Sequence, residues 1–259
     1  MVVFTLSKYG RKKIKSVTDL DHPDRVREIR ETIDRKKPLK SFYRETYERY
    51  RECLSRCPVD GVVVELGSGG GFLKEIIPEA ITSDVLAYEG VDQVVDATRM
   101  PFADQSVRAI FMSNVFHHIP DVDAFFKEAT RCLKPGGRIL IMDQYCGLFS
   151  SFIYRYVHHE GFDSDVKDWK FQSTGPLSGA NGALACIVFQ RDLMKFESSY
   201  PLKMAVFRPH SPFRYWWVGG LKNWSLLPAW LDPFARWLDR MLIRCTREFA
   251  SFVDIEIVR

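Results

Sequence analysis

The chain has no apolar run approaching the roughly 18 to 20 residues needed to cross a bilayer. Its start, MVVFTLSKYGRKKIK, sets a very short apolar stretch ahead of charge, the reverse of a secretory signal. A cytoplasmic protein is therefore expected. Cysteine supplies no framework either: Cys53, Cys57, Cys132, Cys146, Cys186 and Cys245 are scattered through 259 residues. A chain of this size needs no staples, so these read as reduced thiols. Cys53 and Cys57 sit one helical turn apart without a second Cys/His pair nearby, and no metal site is expected. At 46% hydrophobic and 27% charged the composition is that of a soluble globular protein, long enough for one α/β domain with insertions or a small cap.

Against these absences stands the stretch Val62 to Gly71, VVVELGSGGG. Three β-branched residues, an acid, a leucine and a glycine-dense turn describe a buried parallel strand ending in a tight loop against a ligand. Two familiar ligand classes lack support. The third glycine of a dinucleotide fingerprint, counted from Gly69, falls on Phe72, and no Gly-Lys-Ser/Thr follows to make a phosphate-cradling loop. A nucleoside of another kind remains the natural occupant. An acid at the tip of the next strand, Asp84, stands where it can accept hydrogen bonds from both ribose hydroxyls.

Glu65-Leu66-Gly67-Ser68-Gly69-Gly70-Gly71 resembles the E/D-x-G-x-G-x-G motif of class I S-adenosylmethionine-dependent methyltransferases. The resemblance continues in order. Val95 to Val107, VDATRMPFADQSV, is similar to the family's D-A-x-x-L-P-F-x-D-x-S-F stretch, with Met100 and Val107 as apolar replacements. Ser113 to Ile119 is similar to S-x-V-x-H-H-I/L, and Leu133-Lys134-Pro135-Gly136-Gly137 precedes a hydrophobic strand as in the family. The resemblance implies a Rossmann-like, doubly wound seven-stranded α/β sheet, six strands parallel and the last antiparallel, and S-adenosylmethionine as cofactor. It further implies that Glu65, Gly67, Ser68, Gly69 and Gly71 cradle the cofactor, that Asp96 and Ala97 meet adenine, and that Ser113 and Asn114 line the methionine end.

Two histidine-bearing segments offer groups for acid–base work; His159 with Glu160 is the preferred base pair, and loop orientation is the favoured role of His117 and His118. His117 and His118 follow the fourth strand, and a neutral imidazole there can take a hydroxyl proton or merely orient the loop. His159 with Glu160 follows the fifth strand, and a glutamate beside a histidine sets its tautomer and raises its basicity; a polar helix end is the competing reading. Residues 1–60 read as a basic helical lead-in, with helices at about 24–36 and from a break at Pro38 to Cys57, the latter carrying Phe42, Tyr43, Tyr47 and Tyr50 on one stripe. The methyltransferase domain is assigned to residues 61–259, with insertions at about 144–182 and 208–248.

The net charge of +4 concentrates at the ends: residues 1–60 hold 16 Lys/Arg against 10 Asp/Glu, and residues 200–250 hold 8 against 3. Residues 208–248 also carry Trp216, Trp217, Trp224, Trp230 and Trp237 among arginines. That density suits a satellite core, a stacking surface for a substrate, or a face against a membrane. The expected activity is O-methylation of a small molecule, a saccharide or its lipid-linked form. The rivals are an RNA methyltransferase and a non-catalytic binding protein. Against RNA, the fourth strand ends in Asn114-Val115-Phe116-His117 rather than the N/D-P-P-Y/F of enzymes that methylate base amines.

Overall fold

The computed structural model describes residues 22, 24–156, 160–173, 175 and 179–259. Seven strands form one sheet: β1 (Val62–Leu66), β2 (Ile81–Asp84), β3 (Gln93–Val94), β4 (Val107–Ser113), β5 (Leu133–Gln144), β6 (Lys203–His210) and β7 (Phe252–Val258). Their order is β3-β2-β1-β4-β5-β7-β6. Only β7 runs antiparallel, wedged between β5 and β6, as the family resemblance implies. The chain winds one way from β1 to β3 and the other way from β4, so the order reverses between β1 and β4. In open α/β sheets that crevice, at the carboxyl ends of the strands, is where ligands bind.

Helices cover both faces of the sheet. Because side chains alternate across a strand, Val64, Ile110, Met112, Ile139 and Ile141 fall in one core, while Val63, Ala109, Phe111, Leu140 and Met142 fall in the other. This double burial is why β4 and β5 read as continuous apolar runs. Over the second face lie α1 (Asp24–Arg35) and α2 (Lys37–Leu54), with Tyr50 stacked on Phe111 at 4.5 Å between ring centroids. Phe42, Tyr43, Tyr47 and Tyr50 are all buried on α2. Over the first face lies α3 (Val122–Cys132); Asp121 caps it by accepting from Ala124 N at 3.0 Å.

Other elements depart from expectation for local reasons. The break in the lead-in falls at Lys36, since proline is tolerated in the first turn of a helix and Pro38 sits there in α2. After the glycine loop only a 3-10 turn forms, Leu73–Glu75, and Pro78 closes it. β3 is only two residues long, because the Asp92 carboxylate accepts from Thr82 N at 2.9 Å in place of a ladder bond. The helical segment 184–199 is broken into α5 (Leu184–Cys186), a π-type turn Ile187–Arg191 and α6 (Leu193–Ser199). There Asp192 N donates to Ile187 O at 2.9 Å, and the Asp192 carboxylate accepts from Trp169 Nε1 at 2.8 Å. The remaining helices are α4 (Leu148–Tyr156), α7 (Arg214–Trp217) and α8 (Asp232–Cys245). No described helix is long and apolar enough to cross a membrane.

Candidate active site

The crevice between β1 and β4 opens into a cavity of about 910 Å3. Its floor is the glycine loop. Gly67 takes φ +67°, and a Cβ there would lie 2.3 Å from Val115 Cγ2, so only glycine lets the β1 and β4 tips approach this closely. Ser68 N donates to Ser83 O at 2.8 Å, and Gly69 N donates to Asp84 Oδ2 at 3.0 Å, which pins the loop to the tip of β2. Above Gly69 the space is open: a Cβ would meet nothing nearer than Asp84 Oδ2, 4.0 Å away. At Gly70 a Cβ would lie 2.7 Å from Arg30 N of α1. The lead-in therefore closes on the loop, and Val26, Ile29, Ile33, Tyr43 and Tyr47 become part of the cavity wall.

Glu65, Gly67, Ser68, Gly69, Gly71, Asp84, Asp96, Ala97, Ser113, Asn114, His117, His118 and Glu160 all line this one cavity. His159 lies outside the described residues. The Asp84 carboxyl is buried, which raises its pKa against the pull of backbone N–H groups at Gly69, Leu86 and Val85. Asp96 differs in kind. It is exposed at the rim, and its Oδ1 already accepts from Thr98 N at 2.8 Å and Thr98 Oγ1 at 2.7 Å. Burial pushes Glu65 up to about 7, against a hydrogen bond from Ser68 and with Asp84 adding to the rise.

Deeper in, five polar side chains converge, those of His117, His118, Asp143, Gln144 and Glu160. Asp143 at the end of β5 is fully buried and accepts from His117 Nδ1 at 2.6 Å and from Gln144 N at 2.7 Å. His118 Nδ1 lies 3.0 Å from Gly179 O; a carbonyl only accepts, so His118 carries its proton on Nδ1 and presents the Nε2 lone pair to the cavity. Glu160 lies 3.3 Å from His117 Nε2 and 3.8 Å from His118 Nε2, and accepts from Gln144 Nε2 at 3.0 Å. Burial opposes charge on His117, but Asp143 and Glu160 outweigh it and push the pKa up to about 10. Burial and the neighbouring His117 charge push His118 down to about 4. At neutral pH the first ring is cationic and the second neutral. Among the described residues, His117, His118 and Glu160 also have the spacing to hold a metal ion, their ligand atoms lying within 4.8 Å of one another.

Asp143, Gln144, Tyr154 and Tyr215 escaped the sequence reading, whereas Trp216, named there as a member of a candidate stacking surface, lines the cavity. For Asp143 a signal existed: it is an acid at a parallel strand tip, as Asp84 is. Lys36 had none. Its ammonium is buried at the α1–α2 elbow and donates to the carbonyls of Val218 (2.7 Å), Gly220 (3.0 Å), Lys222 and Trp224 (2.6 Å). This fastens the lead-in to the segment 219–224 that walls the cavity.

Residues 64–141 match the family described as Methyltransferase domain. Over that span the chain carries a methyltransferase domain. Relatives of this methyltransferase domain include a ubiquinone/menaquinone biosynthesis C-methyltransferase, UbiE, of Desulfotalea psychrophila, 35% identical over 77 residues, which are 29% of this chain and 30% of that one. Phosphoethanolamine N-methyltransferase 1 of Triticum aestivum is 35% identical over 81 residues, 30% of this chain and 16% of that one. The chain thus spans less than a third of the length of these relatives. A similar solved structure is geranyl diphosphate C-methyltransferase from Streptomyces coelicolor A3(2), with Mg2+, geranyl diphosphate and S-adenosyl-L-homocysteine. Its TM-score is 0.51 at 15% identity, covering 93% of this chain and 88% of that one, a likeness of fold. The methyltransferase domain's own residues fit the cofactor. Glu65 Oε2 and Ser113 Oγ are buried with no hydrogen-bond partner among the described residues, which marks places where a bound polar ligand supplies one.

Proposed function

We propose that the chain transfers a methyl group from S-adenosylmethionine to a hydroxyl oxygen of a small acceptor, a saccharide or its lipid-linked form. The observation that carries the reading is the cluster of His117, His118 and Glu160 lining the cavity that also holds the glycine loop, with Asp143 buried behind His117. When bound, S-adenosylmethionine supplies a sulfonium-activated methyl carbon and leaves as the thioether. Asp84 binds the ribose hydroxyls, and Asp96 and Ala97 meet the adenine. Glu65 and Ser113 bind polar groups toward the methionine end, and the α1 side chains with Tyr43 and Tyr47 exclude water. Aromatic and aliphatic side chains at Ile153, Tyr154, Tyr215 and Trp216 wall the remaining space, which suits an acceptor whose hydroxyl sits on a partly apolar body.

The acceptor hydroxyl becomes strongly acidic as the carbon–oxygen bond forms, so a weak base in contact with it is enough. His118 Nε2 is that base: burial keeps it unprotonated at neutral pH, and Glu160 stands beside it to stabilise the imidazolium once the proton arrives. Cationic His117, held by Asp143, fixes the Glu160 carboxylate. The pH dependence follows. Because the His118 pKa lies near 4, well below the usual 6.5, kcat/KM is flat through neutrality and falls only as pH drops toward about 4. An acid limb near 6.5 argues against His118.

A panel of hydroxylated acceptors, free sugars and glycolipids among them, is incubated with the full chain and cofactor tritiated in its methyl group. Label recovered as an alkali-stable methyl ether supports the reading; label on nitrogen or carbon overturns the oxygen assignment. Glu160→Gln lowers kcat with a good acceptor ten- to a hundredfold while cofactor affinity by calorimetry stays within twofold.

A further inference from the structure

The tryptophan-rich segment divides in two. Trp216 and Trp217 are half-buried, and Trp216 Nε1 donates to Ser251 Oγ at 2.7 Å. Trp230 and Trp237 instead stand out into solvent, Trp230 with 77% of its surface exposed.

The exposed members belong to a larger face. On α8 the apolar Phe234, Trp237 and Met241 are exposed at spacings of three and four, one stripe of the helix. Arg240 and Arg244, also exposed, flank that stripe, whereas both acids of α8, Asp232 and Asp239, are buried on the opposite side. On α4 the pattern repeats: Leu148, Phe152 and Tyr156 are exposed at spacings of four, with Arg155 beside them and no acid in the helix. Both helices pack against the 3-10 turn Arg247–Phe249, which adds an exposed arginine and an exposed Phe249 and makes the face continuous. Glu248, in that turn, accepts from Leu148 N at 3.0 Å and ties it to α4.

We propose that this face, α4 together with α8 and the turn between them, docks on an anionic lipid bilayer. Exposed apolar patches of this extent mark interaction sites. The chemistry selects the partner: aromatic side chains insert at the headgroup boundary, and the exposed arginines, which outnumber Glu248, the one exposed acid of this face, meet lipid phosphates. No single element needs to span the bilayer. The face also adjoins the cavity, because Ile153 and Tyr154 of α4 line the interior while Phe152 and Tyr156 point out. A lipid-borne acceptor could pass from the bilayer along α4 to the cluster at His118. Only that last step rests on the proposed acceptor; the docking does not.

The test is flotation of the full chain with vesicles of phosphatidylcholine alone and of phosphatidylcholine mixed equally with phosphatidylglycerol. The chain floats with the anionic vesicles and not with the neutral ones. Phe234→Ser with Trp237→Ser lowers the partition at least tenfold, and each of Arg240→Gln and Arg244→Gln lowers it about fivefold. Cofactor affinity by calorimetry is unchanged in all of them, which separates loss of docking from loss of the fold or of the methyltransferase reading. Failure of the native chain to float with anionic vesicles overturns the proposal. So does a dimer by light scattering that the Phe234/Trp237 variant abolishes, since a second copy would then cover the face.

Discussion

Asp84→Ala weakens S-adenosylmethionine binding about a hundredfold. The carboxylate is buried at the tip of β2 with one oxygen on Gly69 N at 3.0 Å and the other on Val85 N at 2.8 Å. Hydrogen bonds to charged groups contribute about 1.5 to 3 kcal/mol each, and the proposed role gives Asp84 two ribose hydroxyls. Losing both costs about 3 kcal/mol, which is about two orders of magnitude in Kd. The substitution also leaves Gly69 N without its partner, so the loop loosens and the melting temperature falls by a few degrees. Asp84→Asn separates the two effects. Its amide oxygen can still accept from Gly69 N although its amide nitrogen cannot accept from Val85 N, so stability recovers in part while cofactor affinity stays at least tenfold weak. Titration calorimetry with S-adenosylhomocysteine checks this, and unchanged affinity in Asp84→Ala removes the ribose assignment.

What the sequence made visible was local. The glycine loop, Asp84, Asp96 and the His117–His118 pair announce themselves within a few residues of a strand end. The antiparallel wedging of β7 is not written in its own alternation. Nothing local distinguishes β7 from a parallel strand, and its place came through the family resemblance. Contacts distant in sequence were invisible for the same reason. Lys36 finds its carbonyls more than 180 residues away, and α1 meets Gly70 only because both pack at the same sheet edge. The tryptophans show the limit most clearly. Trp217 and Trp237 sit in similar aromatic and basic surroundings in the sequence, yet one is half-buried and the other exposed, because the packing of α7 and α8 decides and composition does not.

Arg214→Met is expected to destabilise the protein by about 3 to 5 kcal/mol, because it breaks a buried charge network by removing one partner. Arg214 is 1% exposed. Its Nε donates to Asp232 Oδ1 at 2.7 Å, and its Nη1 donates to both Glu45 oxygens at 2.9 Å. Glu45 belongs to α2, Arg214 to α7 and Asp232 to α8, so this guanidinium joins the lead-in to the tryptophan-rich segment. Without it Asp232 stays buried, and Arg236, at 2.8 Å, answers only part of its charge. At about 2 to 4 °C per kcal/mol for a chain of this size, the melting temperature drops by about 10 °C. Because buried ion pairs cost desolvation energy, Arg214→Met with Asp232→Leu recovers at least half of the loss. If the two segments are coupled as the network implies, cofactor affinity falls in Arg214→Met and returns in the double variant, since Tyr215 and Trp216, next to Arg214 in sequence, line the cavity. Thermal unfolding within a degree of the native chain, with unaltered cofactor affinity, breaks that link and makes the lead-in and the tryptophan-rich segment independent attachments to the sheet.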